Sequence, residues 1–304
     1  MIKFYEKRNI FFIISILIFV IGIISVFTSG LNLDISFKGG AIIKYTYDSE
    51  IDVNAVEDVV KNTLGRNVSI QTTNDLATGE NKIALNLAGN EGISAQEQKE
   101  LDDALKEKFE NNNLELSESN IVEPFIGKRF LQNGILAIIV SAILIVFYVW
   151  IRFSKISGLS AGVMALVALL HDCLMVFFVF AIFKLPINES FIAVILTIIG
   201  YSINDTIIIY DRIRENALLS RKYDVVELVN ISINQSLSRS INTTLTTIIS
   251  VIILLVFAYV YGIESIVIFA LPMAIGMLSG SYSSICLAGP LWVMWQKKRQ
   301  KLII

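Results

Sequence analysis

Six apolar runs, each long enough to cross a hydrocarbon core of roughly 30 Å, leave this chain few architectures to choose from. They cover Ile10 to Thr28, Phe130 to Ile151, Ser157 to Phe183, Phe191 to Tyr210, Ile241 to Tyr261 and Ile266 to Trp295. A bilayer core offers no water to backbone N–H and C=O groups, so each run must close its hydrogen bonds internally, as a helix. A hydrophobic content of 54% fits an integral membrane protein rather than a soluble globule. The first run follows Lys3, Lys7 and Arg8 and ends Phe-Thr-Ser-Gly without an Ala-x-Ala pattern. It exceeds the apolar core of a secretory signal, about 7–15 residues, and reads as a retained span, with a cleaved signal as the alternative. Cys173 and Cys286 both lie in apolar runs, so neither a disulfide framework nor a zinc site is expected. His171 is the single histidine, which excludes histidine-rich metal chemistry.

Between the first two spans, residues 30–127 turn polar and acidic. Ala41 to Tyr47 is β-branched and aromatic and predicts a strand. Asp52 to Leu64 places Val53, Val56, Val59 and Val60 at helical spacing before Gly65 stops the helix. Val68 to Thr72 and Lys82 to Leu87 alternate as strands. Ser94 and Glu97 form a capping box for a helix to about Glu110, and Leu114 to Val122 supplies a last strand. The order β-α-β-β-α-β predicts a ferredoxin-like α+β domain, a fold that names no activity by itself. The expected organisation is residues 1–29 as amino terminus and first span, 30–127 as the outer domain, and 128–304 as spans two to six.

Basic residues set the orientation. Lys3, Lys7, Arg8, Arg152, Lys155, Arg212, Arg214, Arg221, Lys222, Lys297, Lys298, Arg299 and Lys301 fall on one side; the two short loops opposite offer only Lys184, against Glu189 and Glu264. The positive-inside rule therefore puts both termini in the cytoplasm and residues 30–127 outside. A cytoplasmic amphipathic segment is expected at about 212–238. Within it Val225, Val229, Ile233 and Leu237 recur every four residues from Tyr223 to Ser238, and either lie along the interface or pack on the loops.

Inside the apolar runs sit a few polar residues. Asp205, beside Ser202 and Asn204, lies roughly 22 Å past the outer boundary of the fourth span at 1.5 Å per residue. An acid there costs roughly 2.5–3.5 kcal/mol on insertion scales, which makes it a functional-site expectation. Thr197, Tyr201, Asn204 and Asp205 share one helix face. On the fifth span Arg239, Thr243, Thr246 and Ser250 form a polar stripe with Asn242 adjoining. Asp205 facing Arg239 is what a protonation switch needs: the arginine stabilises the ionised acid and protonation releases it. The blander readings are a hydrogen-bonded structural acid and an interfacial arginine extending to the headgroups. His171 and Asp172 in the third span are either a continuation of a proton path or a satisfied packing pair. In the sixth span Gly276, Gly280, Ser284 and Ala288 step by four, a small-residue seam for close helix packing. Gly39 and Gly40 permit a tight turn after Phe37-Lys38. No Gly-x-x-x-x-Gly-Lys-Ser/Thr loop exists for ATP.

Several of these segments together resemble a known family. Gly200-Tyr-Ser-Ile-Asn-Asp-Thr206, Tyr210-Asp-Arg-Ile-Arg-Glu-Asn216, Leu237-Ser-Arg-Ser-Ile-Asn-Thr-Thr244 and Leu170-His-Asp172 resemble the motifs of the SecF protein-export membrane proteins. Phe37-Lys-Gly-Gly40 and Gly280-Ser-Tyr-Ser-Ser284 fit as well, and the likeness covers essentially the whole chain. The sister SecD proteins have a larger outer region and a different sequence around their acid. One feature departs: the family usually has Asp directly before the Phe of its Phe-x-Gly-Gly turn, where this chain has Ser36, with Asp34 two residues earlier. No carboxylate role at that turn is carried over.

The resemblance implies an accessory subunit of the bacterial Sec translocase in the cell membrane, within the resistance–nodulation–division superfamily. Its implied partners are SecD, the SecY-SecE-SecG channel, the translocating preprotein and the lipid bilayer, not nucleic acid. It implies no enzyme activity and no cofactor, with protons as the coupling ion, and it places the proton-coupling pair at Asp205 and Arg239. The expectation is an auxiliary motor driven by the proton motive force. Two other readings stay open: a proton-coupled exporter of small or lipid-like molecules, and a non-conducting structural subunit.

Overall fold

The computed structural model describes residues 1–34, 40–48, 51–66, 68–74, 80–88, 93–122, 124–219 and 223–301. Six helices among them are long and apolar enough to cross a membrane. They are α1 (Arg8–Ser29), α4 (Pro124–Arg152), α5 (Gly158–Ile182), α6 (Glu189–Leu219), α7 (Val225–Val260) and α8 (Glu264–Ser283). The chain is thus a multi-pass, mostly helical membrane protein with one small antiparallel sheet.

Helix α5 is the axis of the bundle, touching α1, α4, α6 and α8. Its sequence explains the place it takes. Gly158, Ser160, Ala161, Gly162, Ala165 and Ala168 are small and buried, so neighbouring backbones approach closely, as dispersion-driven packing in lipid requires. Gly162 lies against the Val146 backbone of α4, where a Cβ would meet the carbonyl oxygen at 3.3 Å. Large residues of α1 and α4 such as Ile16, Leu17, Ile143 and Leu144 point away from the bundle, which is the lipid-facing pattern.

Two elements differ from the periodicity reading. The expected amphipathic segment and fifth span form one continuous helix, α7, because nothing between Ser238 and Ile241 breaks it. The apolar face of its first turns is not laid along an interface: Val229 and Ile233 are fully buried and pack on Gly289. Asn230 and Asn234 of the same stretch hold the amino-terminal segment. Asn234 accepts the Ile2 N–H at 2.9 Å and donates to the Ile2 carbonyl at 2.7 Å. Asn230 accepts the Tyr5 N–H at 3.0 Å and donates to Glu6 at 2.9 Å. The sixth apolar run is also not one uniform helix. After α8 a π-helical turn, Ser284–Ala288, precedes α9 (Gly289–Lys301).

The sheet contains β1 (Gly40–Tyr47), β2 (Val68–Asn74), β3 (Asn81–Ala88) and β4 (Glu115–Val122), in the spatial order β2-β3-β1-β4 with every neighbour antiparallel. Helices α2 (Val53–Leu64) and α3 (Ala95–Lys108) pack against each other. Alternation along the central strands directs Ile43, Tyr45, Ile83, Leu85 and Leu87 inward against Val56, Val60, Leu101 and Leu105. Asp52 caps α2 by accepting the Asn54 N–H, and Gly65 ends it at φ 65°. Ser94 and Glu97 complete a reciprocal capping box on α3. Gly40 opens β1 at φ 140°, a conformation left to glycine; Gly39 and residues 36–38 lie outside the described residues. Between α1 and the sheet, the Ile187 N–H of the α5–α6 loop donates to the Asn32 carbonyl at 2.8 Å. The Asp34 N–H donates back to the Ile187 carbonyl at 3.1 Å.

Leu85 is fully buried at the centre of the sheet core. Leu85→Ala is therefore expected to destabilise this domain by about 2–5 kcal/mol, read as a fall in its denaturation midpoint with the helical bundle's transition unchanged. The hydrogen bonds from Ser94 hold the Glu97 carboxyl below its ordinary value. Its contribution is complete above the ordinary glutamate value of about 4.3 and is lost as pH falls below it. Glu97→Gln keeps the cap's shape, so pH titration of the domain's melting should give a shallower acid limb than the parent's.

Candidate functional site

The most heavily hydrogen-bonded acid lies at the centre of the bundle. Asp172 of α5 is fully buried, and three helices close on it. The Ser202 hydroxyl of α6 donates to Oδ2 at 2.7 Å. From α8, Ser279 donates to Oδ1 at 2.7 Å and Ser283 to Oδ2 at 2.6 Å. His171 Nδ1 lies 3.1 Å from Oδ1. A carboxylate in so apolar a setting persists only with its lone pairs occupied, and here the donors are supplied by design of the helix faces.

Close approach of the helices makes this geometry possible. A Cβ at Gly280 would stand 2.9 Å from Ser202 Cβ, so only glycine lets α8 come near enough for Ser279 and Ser283 to reach α5. Gly276, one turn away, faces Ile198 and Val176 at 2.8 and 2.9 Å by the same measure. Ser284 donates to the Ser202 carbonyl at 3.1 Å and meets the Thr206 hydroxyl at 2.8 Å. The seam Gly276, Gly280 and Ser284 is thus turned inward, towards α5 and α6.

On its other imidazole nitrogen, His171 extends the cluster. Nε2 lies 3.1 Å from Ser15 Oγ of α1, Ser15 lies 3.3 Å from the Tyr282 hydroxyl, and Tyr282 donates to the Phe11 carbonyl at 2.6 Å. The Phe19 ring lies 5.1 Å from the imidazole, tilted by 31° to it.

Asp205 is a different kind of acid. It follows Ser202 by one turn of α6, about 4.5 Å along the axis, and is 1% exposed. No hydrogen bond of ordinary geometry reaches either carboxylate oxygen. The polar groups acting on it are the Thr244 hydroxyl and the Arg239 guanidinium, both from α7. Thr244 is itself bonded to the Tyr201 hydroxyl at 3.1 Å. Arg239 forms no ion pair with Asp205 among the described residues. It lies on the exposed side of α7 with Asn242, Thr246 and Ser250, while Asn204 and Gly200 are exposed on α6. Thr243 is half-buried and spends its carbonyl on Thr246 and Thr247. A polar strip on the outside of two apolar helices costs free energy against lipid, so it is suited to another polar surface.

The structure therefore gathers His171, Asp172 and Ser202 into one cluster with Ser284 beside it. Asp205 stands one turn below, with Arg239, Asn204, Asn242 and Thr243 on the adjoining face. Ser15, Ser279, Ser283, Tyr282, Thr206 and Thr244 were not singled out from sequence. The signal for two of them was present: Ser279 and Ser283 repeat at i, i+4 one residue ahead of Gly280 and Ser284, a second small polar stripe beside the first. Ser15 carries no such signal, being one serine in an apolar run.

Comparisons with known proteins agree with this architecture. Residues 101–298 match the family described as protein export membrane protein SecD/SecF, C-terminal. The SecF protein translocase subunit of Petrotoga mobilis is 31% identical over 303 residues, covering 99% of this chain and 98% of that protein. The SecDF subunit of Bacillus subtilis is 34% identical over 98% of this chain and 38% of its own length. The crystal structure of SecDF, a translocon-associated membrane protein from Thermus thermophilus, superimposes with a TM-score of 0.79 at 30% identity. It covers 97% of this chain and 39% of the larger one. Matched along nearly its full length to SecF subunits, the chain belongs to the SecF family of protein translocase subunits.

Proposed function

We propose that this chain works beside SecD in a complex that uses the proton motive force to assist preproteins through the SecY-SecE-SecG channel. The observation that carries the proposal is Asp205: buried, with no hydrogen bond of ordinary geometry on either oxygen, and acted on by Thr244 and Arg239 of α7. A buried carboxylate whose lone pairs lack hydrogen-bond donors is tolerable only with a counter-charge or a proton. Asp205 therefore has two stable conditions, one ionised with Arg239 drawn towards it and one protonated with Arg239 released. Exchange between them repositions α6 against α7, and protons are the coupling ion with no further cofactor.

The likeness to SecDF chains supports SecD as the partner, since there the two parts share one polypeptide. The exposed polar strip of Gly200, Asn204, Arg239, Asn242 and Ser250 is the surface we assign to it. We read the β2-β3-β1-β4 sheet with its two helices as a ferredoxin-like domain. The positive-inside asymmetry supports cytoplasmic termini and an outer position for this domain. Its link to the acid-bearing helices runs through the α5–α6 loop, where Ile187 pairs with Asn32 and Asp34 just after α1. Motion of α5 or α6 thus pulls on the segment entering the sheet.

In membranes holding the whole complex, Asp205→Asn should lower the gradient-dependent part of preprotein export by about tenfold or more, the scale on which positioned acid–base groups act. Export driven by ATP alone should be unchanged. A normal response of the variant to the proton gradient would show that Asp205 is structural. Arg239→Ala should lose the same component, and Arg239→Lys should restore part of it, as measured by protease protection of an exported precursor.

A further inference from the structure

Asp205 and Arg239 leave one buried polar row unused, running from Asp172 through His171, Ser15 and Tyr282 to the Phe11 carbonyl. We infer that this row is a proton relay, joining Asp172 at the bundle centre to the end of the bundle that carries the termini. The inference rests on the reading that protons drive this chain, and it places the row in series with the Asp205–Arg239 face, so that a break in either limits the flux.

Phe11 lies in the first turn of α1, which opens at Arg8, and Tyr5 near it lies under the Lys297 ammonium of α9 at 5.3 Å. Ser15 is one turn further in, and Asp172 is fully buried beyond it. Tyr282 is half-buried at the row's outer end, while Asp172 at its inner end is fully buried. The contacts from Asp172 to His171 and from His171 to Ser15 measure 3.1 Å each, within the reach of proton transfer, and Ser15 to Tyr282 measures 3.3 Å, just beyond it; Tyr282 donates to the Phe11 carbonyl at 2.6 Å, which places the hydroxyl at the row's end.

Donor accounting gives the row two directions. With Asp172 ionised, His171 donates from Nδ1 to Oδ1, Ser15 donates to Nε2, and the Tyr282 hydroxyl turns from the Phe11 carbonyl to donate to Ser15. With Asp172 protonated, its O–H donates to Nδ1, Nε2–H donates to Ser15, Ser15 donates to Tyr282, and Tyr282 donates to Phe11. The second state holds one proton more than the first. To reach it, a proton arriving at Tyr282 replaces the one Tyr282 passes to Ser15. The Ser15 proton moves to Nε2 and the Nδ1 proton moves to Oδ1. One proton enters, none leaves, and the carboxylate becomes neutral. Ser202, Ser279 and Ser283 retain acceptor lone pairs on Asp172 in both states.

The other titratable side chains acting near the row are thiols, Cys173 beside Asp172 and Cys286 beside Tyr282. No Lys, Arg or Glu pairs with a member of the row among the described residues, so its polarity follows the proton alone. Ser202 then ties the state of Asp172 to α6 one turn above Asp205.

The test is proton flux through vesicles containing this chain with SecD, under an imposed pH gradient and read by an enclosed pH-sensitive dye. Flux is taken per intact complex. Ser15→Ala and Tyr282→Phe should each lower it by about tenfold or more. His171→Ala should lower it similarly and regain it with added imidazole but not with pyrrole, which fills the same space but cannot accept a proton. Parental flux in both Ser15→Ala and Tyr282→Phe, or equal rescue by pyrrole, would overturn the relay and leave the row as packing. Parental flux in Asp205→Asn would instead overturn the Asp205–Arg239 reading, whatever the row does.

Discussion

The bundle depends on one carboxylate. Asp172 could not stay buried on an isolated α5, because an ionised group in hydrocarbon costs several kcal/mol even after relaxation. It stays because α6 and α8 bring three serine hydroxyls to it, and those hydroxyls are themselves satisfied by the acid. The interaction thus fixes which faces of three helices meet, a task that apolar contacts in lipid perform poorly, since lipid tails are as apolar as Leu. Gly280 is part of the same arrangement: a side chain there would separate α8 from Ser202.

Around this fixed point the chain divides into two physical regimes. In the bundle, packing and polar pairing choose the partners, and small residues set the distances. In the sheet domain, water drives Ile43, Leu85 and Leu101 together, and local caps at Asp52 and Ser94 set the ends of helices. The Ile187 pairing with Asn32 and Asp34 is the short backbone connection between the regimes. Its hydrogen bonds are main-chain, which explains why no side-chain pattern announces it.

Much of this was legible in sequence where one segment carries its own signal. The six apolar runs, the capping box at Ser94 and Glu97, and the helix stop at Gly65 are local, and the structure keeps them. Boundaries failed where tertiary packing decides. The start of α7 looks amphipathic, and the periodicity of Val229 and Ile233 is real, but helical partners and not headgroups take that face. The site was legible by halves. Asp205, Asp172 and His171 stand out because polar residues are costly in an apolar run, whereas Ser15, Ser279 and Ser283 are cheap residues with no solitary meaning. Their role exists only once three helices converge, so it is a property of the fold rather than of any segment.

The two acids make opposite use of burial, and that contrast bears on how a helix bundle can move. Asp172 is saturated with donors and holds α5, α6 and α8 as one block. Asp205, one turn along the same α6, has none, and its influences come from Thr244 and Arg239 on α7. A change of charge at Asp205 therefore acts across the α6–α7 boundary, where no carboxylate-centred lock exists among the described residues. That boundary is held by neutral hydrogen bonds instead, from Tyr201 to Thr244 and from Asn216 to Ser232 and Gln235. The Ile187 strand contact belongs to the block, through the loop between α5 and α6. The segment leading to the sheet is in this way fastened to the side of the boundary that carries both acids, and α7 presents the polar strip on the other side.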